Sequence, residues 1–180
     1  AVELRTFLRQ IAGPSTSSGA FGIVPLDGTL PERSIILSTL PEARNDPEIN
    51  SLITRLLPSG IVLPESGYIL LPGPQNLLIL GSDRAGVLHG TYAFLHSLGA
   101  RWYGPEAHEW HIPQTGIRLP EAPVVESPDF ATRGFWVRED RGNKPFYLWM
   151  ARNRMNFWSI AEPDRPLLHK LGIHLTYGGH

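Results

Sequence analysis

The chain has no cysteine in its 180 residues, so neither a disulfide framework nor thiolate or zinc-finger chemistry is open to it. That absence fits any compartment and selects none; secretion or a periplasmic place is compatible with it. Charge is sparse as well. Charged residues make up 18 % of the chain, against about a quarter in an ordinary globular domain, and 16 basic residues balance 17 acidic ones to a net charge of -1. No run of Lys or Arg is long enough to follow a phosphate backbone, which argues against nucleic acid as a partner. No stretch approaches the roughly 20 apolar residues needed to cross a bilayer, so no membrane partner is expected. The opening residues Ala1-Val2-Glu3-Leu4-Arg5 carry no signal-peptide pattern.

What is present is enough apolar material for a core, 42 % of residues, punctuated by 17 prolines and 18 glycines that separate short elements and form no low-complexity tract. Leu4, Leu8 and Ile11 recur at helical spacing over 2–11, ended by Gly13-Pro14. Phe21 to Pro25 and Ser34 to Ser38 read as strands. Ile49, Leu52, Ile53, Leu56 and Leu57 form a second helical stripe behind the cap and first-turn proline of Asp46-Pro47. Gly67 to Leu71 and Asn76 to Leu80 are apolar runs joined by Pro72-Gly73-Pro74-Gln75, a spacing that predicts a hairpin on a buried sheet.

A helix capped by Ser82 or Asp83 and stopped by Gly99 comes next, with Gly86 and Gly90 four apart, where each lacks a side chain for a packing reason. Ala100 to Tyr103 reads as a strand. The pattern is α+β, with helices expected on one face of the sheet. The proline-rich stretch 105–128 reads as an extended connection, which puts a domain boundary near Glu126: 1–125 as one domain, 126–180 as the next. Beyond it, strand, helix, strand, helix and strand alternate (Thr132 to Arg138, Pro145 to Arg154, Asn156 to Ile160, Arg165 to Leu171, Ile173 to Tyr177), which predicts a parallel sheet or barrel. A full (β/α)8 barrel takes about 250 residues, so the reading is an incomplete one, truncated after three strands.

Several of these segments together resemble a known domain. Gly67-Tyr68-Ile69-Leu70-Leu71, Leu78-Ile79-Leu80-Gly81, the helix Gly86-Val87-Leu88-His89-Gly90-Thr91-Tyr92-Ala93-Phe94-Leu95 and Gly99-Ala100-Arg101-Trp102-Tyr103 are similar to the β-hexosaminidase-like accessory domain. That domain precedes the catalytic TIM barrel in β-N-acetylhexosaminidases, α-glucuronidases and related glycoside hydrolases. Ser127-Pro128-Asp129-Phe130-Ala131-Thr132-Arg133-Gly134-Phe135 resembles the entry to the first barrel strand, and Leu171 to His180 the third.

The resemblance implies a helix-backed accessory domain followed by the first β/α units of a barrel that hydrolyses O-glycosidic bonds without metal or organic cofactor. Its partners would be a carbohydrate substrate and the remainder of the catalytic barrel. The family's Arg-Gly implies a sugar-binding role for Arg133, and its Pro-Gly-His one for His180, with Gly178 standing where the family has proline. The catalytic Asp-Glu pair follows a fourth strand, so no catalytic residue can be named, and the chain by itself is expected to be inactive. The alternative is a non-catalytic carbohydrate-binding or docking domain.

The residues themselves leave more than one role open. Glycoside hydrolysis usually needs two carboxyl groups. Glu139 and Asp140 are adjacent acids near a strand end; neighbours in an extended segment point opposite ways, so they are either loop acids paired with Arg138 and Arg141 or substrate contacts. Arg133 offers a planar five-donor fork for sugar hydroxyls or for a carboxylate. The tryptophans can stack on sugar rings or simply pack. Asn153 and Asn156 read as helix-end polar groups. His108-Glu109-Trp110-His111 lacks the spacing of a zinc-protease helix, and Gly81 to Gly86 lacks a nucleotide fingerprint, so no metal site is expected.

Overall fold

The computed structural model describes residues 1–14, 21–25, 30–136, 142–158 and 164–176. The chain divides into two compact units, Ala1–Ala100 with Ile112–Ser127, and Arg101–His111 with Pro128–His180. Helices and sheets are mixed in the chain, an α+β composition, and among the described residues no barrel closes.

The first unit is built on a four-stranded sheet in the order β1 (Ile35–Thr39), β3 (Leu77–Gly81), β2 (Tyr68–Pro72), β6 (Val124–Glu126). β2 and β3 are the expected antiparallel hairpin, closed by Gly73 N–H on the Asn76 carbonyl at 2.8 Å. β1 runs parallel to β3, and β6 antiparallel to β2. Leu77, Leu78, Ile79 and Leu80 are each 0 % exposed, which requires cover on both faces of the sheet.

That cover corrects the expectation of helices on one face. α2 (Leu40–Asn45) and α3 (Pro47–Leu56) bring Leu40, Ala43, Ile49 and Ile53 into one core with Ile69, Leu71, Leu78 and Leu80. Alternation along the strands turns Tyr68, Leu70 and Ile79 the other way, toward α4 (Arg84–Ser97). α1 (Val2–Ala12) lies beside α4, with the Tyr92 hydroxyl on the Glu3 carboxylate. α2 has a local sequence signal: Thr39 and Glu42 form a reciprocal capping box, and Pro41 fits the first turn.

Two other segments differ from their sequence patterns. Phe21 to Pro25 joins no ladder among the described residues, and Ile23 and Val24 stay exposed. The stretch 105–128 is not a bare connection, because β6 completes the first sheet and β5 (Trp110–His111) pairs with β4 (Arg101–Trp102) in a ribbon of its own. The turn between them, Ala107–Glu109, brings the chain straight back, so β4 meets β5 and not the main sheet.

α4 is positioned by its two glycines. A Cβ on Gly86 would strike the Gly67 carbonyl oxygen, and one on Gly90 would come to 2.8 Å from the Ile79 methyl. At the start of α4, Asp83 accepts from Gly86 N–H at 2.7 Å, Ser66 N–H at 2.9 Å and the Ser82 hydroxyl at 3.1 Å. Burial pushes the Asp83 carboxyl up, but these donors outweigh it and hold the group below the ordinary aspartate range.

The second unit contains β7 (Gly134–Phe135), α5 (Lys144–Arg152), β8 (Phe157–Trp158), α6 (Arg165–Lys170) and β9 (His174–Leu175). The strands pair in sequential order and all parallel, with Gly134, Phe157 and His174 in one row and Phe135, Trp158 and Leu175 in the next. This is the pairing that alternating strand and helix signals predict. Asn143 caps α5 through Phe146 N–H at 3.1 Å, and Asp164 caps α6 and meets Lys144 at 3.4 Å.

The packing of α4 and its cap can each be tested. Replacing Gly86 by Ala gains up to about 1 kcal/mol of helix propensity, yet the new methyl meets a backbone carbonyl. Overpacking of this kind costs about 1–3 kcal/mol, so G86A should be net destabilised in urea melts, and more so than G90A, whose obstacles are side-chain atoms. A depressed carboxyl stabilises fully above its unfolded-state value, about 3.9, and that stability is lost as pH falls through the folded-state value. The stability gap between wild type and Asp83→Asn, measured by denaturant melts from pH 7 to about 2.5, should therefore shrink with acid; a constant gap would contradict the assignment.

Candidate functional site

The parallel sheet of the second unit has two unlike faces. Phe135 stacks on Trp149 at 5.8 Å and meets Phe146 at 5.6 Å, while Trp158 meets Phe146 at 5.7 Å and Tyr147 at 5.4 Å, so both pack against α5, Phe135 half-buried and Trp158 fully buried. Strand alternation puts Gly134, Trp136, Phe157, His174 and Thr176 on the opposite face. There the Trp136 ring stacks on Phe157, centroids 6.4 Å apart and planes 26° apart. Trp136 is nonetheless 63 % exposed, and His174 and Thr176, on the same face across β8, are exposed as well.

The entrance to these strands is held by Asn156, which is 3 % exposed. Its Oδ1 accepts from Arg133 N–H at 2.9 Å, and its Nδ2 donates to the Ala131 carbonyl at 2.8 Å. Its own backbone N–H reaches the Arg133 carbonyl at 2.7 Å, and its carbonyl accepts from His174 N–H at 2.8 Å. One residue thus ties the start of β8 to the starts of both β7 and β9. The sequence pattern places Asn156 at a helix end with Asn153. Asn153 is indeed the residue closing α5, donating to the Trp102 and Trp149 carbonyls at 3.1 and 3.0 Å, but Asn156 is a buried strand-entry group.

Of the residues singled out from sequence, Arg133 stands immediately before β7. Its Nε donates to the Arg154 carbonyl at 3.0 Å and its Nη1 to the Phe130 carbonyl at 2.6 Å, so at least two of the fork's donors serve the chain's own backbone. Glu139, Asp140 and His180, with Arg138 and Arg141, lie outside the described residues. In sequence Glu139 and Asp140 follow β7 and His180 follows β9.

The other tryptophans pack. Trp149 Nε1 donates to the Trp102 carbonyl at 2.9 Å and Trp110 Nε1 to the Gly104 carbonyl at 3.1 Å. Arg152, only 5 % exposed, lies with its guanidinium 4.4 Å from the Trp110 ring centroid, a cation–π contact that no sequence spacing signals. His108 and His111 fall on a tight turn and a strand, and among the described residues no group of three His, Cys, Asp or Glu could hold a metal. In the first unit a cleft of about 1050 Å³ lies between α1 and β1, lined by apolar residues with Arg5, Glu32, Arg33, Ser34 and Gln75, and none of the site residues named from sequence borders it.

No protein-family model matches the chain, and no curated protein matches it. Two glycoside hydrolase structures resemble it in part. CpGH84B is 14 % identical, with a TM-score of 0.42 over 70 % of this chain and 25 % of its own. A GH138 enzyme targeting pectin rhamnogalacturonan II is 13 % identical, with a TM-score of 0.39 over 78 % of this chain and 23 % of its own. The chain therefore spans about a quarter of either structure.

The Asn156 bonds make a direct test. Asn156→Ala leaves the Arg133 N–H and Ala131 carbonyl without this partner in a buried setting, a loss of about 1–3 kcal/mol for each group left unsatisfied. Asn156→Asp keeps the shape but points a carboxylate at the Ala131 carbonyl and should cost at least as much. Denaturant melts followed by tryptophan fluorescence should show both losses; an Asn156→Ala variant within about 0.5 kcal/mol of wild type, the range of an inconsequential surface change, would refute the role.

Proposed function

We propose that this chain belongs to a glycoside hydrolase, residues 1–125 as an accessory domain like that of β-hexosaminidases and residues 126–180 as the first three β/α units of a (β/α)8 barrel. The observation that carries the reading is the sequential, all-parallel pairing of β7, β8 and β9, joined to a residue pattern similar to the barrel entry of these enzymes. Cleavage of an O-glycosidic bond then runs by carboxylate acid/base chemistry. Its proton donor is supplied by a further β/α unit. Glu139, Asp140 and His180, beyond the strand ends, contact the sugar. Arg133, for which the resemblance implies a sugar-binding role, is held at the start of the first strand by its bonds to the Arg154 and Phe130 carbonyls.

A second reading, a non-catalytic carbohydrate-binding domain, is favoured by one observation, the ring face that Trp136 leaves in the open. The two readings part in an assay. A polypeptide containing these residues and further β/α units should release p-nitrophenol from at least one p-nitrophenyl O-glycoside, among them the β-N-acetylglucosaminide and α-glucuronide. Glu139→Gln or His180→Ala should lower kcat/KM at least about tenfold, the effect of losing about 1.4 kcal/mol of transition-state stabilisation. Saccharide binding without turnover by the folded protein would favour the second reading, and neither binding nor turnover would end both.

A further inference from the structure

We propose that the cleft between α1 and β1 of the first unit receives an extended peptide, which adds to the open edge of β1 and gives its C-terminal carboxylate to Arg5 and Arg33. β1 ends its sheet, and among the described residues β3 alone pairs with it. Two bonds show which of its backbone groups are spent. Leu77 N–H donates to the Ser34 carbonyl at 3.0 Å, and Ser34 N–H reaches Asn76 Oδ1 at 3.3 Å. Successive residues of a strand turn their N–H and C=O to opposite sides, so Ser34, Ile36 and Ser38 face β3 while Ile35 and Leu37 face outward. An edge of that kind is a template for another extended chain unless charge or proline blunts it. Ile35–Thr39 has neither.

The cleft beside that edge selects what the added chain carries. Ile36 belongs to the core beneath α2 and α3, so Ile35 and Leu37 put their side chains on the α1 side, where Leu4, Leu8 and Ile117 complete an apolar lining. Alternate side chains of an added strand fall on the same face and meet that lining. Arg5, Arg33 and Glu32 line the cleft as well, two cationic groups against one anionic. Arg5 is half-buried, yet its guanidinium makes no hydrogen bond or ion pair among the described residues, and the same holds for the exposed Arg33. A five-donor fork in a partly dry setting without an acceptor suits a carboxylate. Arg33 stands two residues before β1 and Gln75 two before β3, so this polar end is the N-terminal end of β1, and a peptide that brings its C-terminus there runs antiparallel to β1. A fatty acid would meet the arginines and the lining but leave the outward groups of Ile35 and Leu37 unbonded; a peptide meets all three. Phe21 to Pro25 border the same cleft without joining a ladder among the described residues, and Phe21 has a left-handed backbone (φ 59°), so the edge stays open.

Amide exchange and titration of the 180-residue chain test this independently of the hydrolysis assay. The probe is acetyl-Thr-Val-Thr-Val-Thr-Val with a free C-terminal carboxylate, compared with its C-terminal amide. The Ile35 and Leu37 amides should exchange faster than that of Ile36 in the free protein and become protected on binding. Of two versions of the probe N-methylated at odd or at even residues, one should lose binding and the other keep it, because one edge of the peptide meets β1. Arg5→Gln should weaken the free-acid peptide about tenfold, the effect of one lost charge-assisted hydrogen bond, and leave the weaker affinity of the amide unchanged. Arg55→Gln makes the same charge change on α3, outside the cleft, and should do nothing, with thermal melts showing both variants folded. Protection of Ile35 and Leu37 without peptide, no binding of the free-acid probe, equal losses in Arg5→Gln and Arg55→Gln, or octanoate bound as tightly as the peptide with those amides still exchanging would each overturn the proposal.

Discussion

Asn156 is the constraint on which the second unit depends. Strands of two residues have little ladder to hold them, and parallel pairing is somewhat less stable per residue than antiparallel. Here the register is set one step earlier, where a single buried side chain bonds both the N–H that enters β7 and the carbonyl two residues before it. The same residue's backbone reaches the Arg133 carbonyl and accepts from His174 N–H. Because pairing fixes which side chains share a face, these bonds also decide that Phe135 and Trp158 go under α5 and that Trp136, Phe157 and His174 do not. Packing on one side and a polar-edged aromatic surface on the other are consequences of one set of hydrogen bonds.

The first unit solves a different problem. Its central strand is apolar along its length and must be covered twice, and the close approach of α4 makes one of those covers possible. The glycines at 86 and 90 reduce helix propensity but let the helix lie against the backbone of the hairpin. Asp83 then fixes the start of the helix by joining it to Ser66, just before β2, so that helix, hairpin and cap form one cooperative piece.

How much of this is legible in the sequence depends on the range of the interaction. Elements that announce themselves within a few residues come through well: the helix of Leu4, Leu8 and Ile11, the Pro-Gly hairpin, the Asp83 cap, the glycines of α4 and the alternation after Glu126. α2 carries an equally local mark in Thr39 and Glu42, which a search for apolar stripes passes over because the helix is too short to show one. What fails is long range. Phe21 to Pro25 has strand-forming residues but finds no partner among the described residues, and Val124 to Glu126 looks like linker until β2 is beside it. Asn156 has no spacing rule to reveal it, since its partners Ala131 and Arg133 lie 25 and 23 residues away. For the site, the sequence points to Arg133, Glu139, Asp140 and His180, and leaves the tryptophans open between stacking and packing. It does not show that Arg133 spends donors on its own backbone, or which tryptophan is left open.

The row Gly134, Phe157, His174 carries both the strand order and the face on which Trp136 stands, and nuclear Overhauser contacts across it in the isotope-labelled chain measure that row itself. Backbone contacts linking Gly134 to Phe157 and Phe157 to His174 in a parallel pattern, together with contacts between the Trp136 and Phe157 rings, are the predicted result. Antiparallel cross-strand contacts, or a Trp136 ring in contact with α5 in place of Phe157, would contradict it.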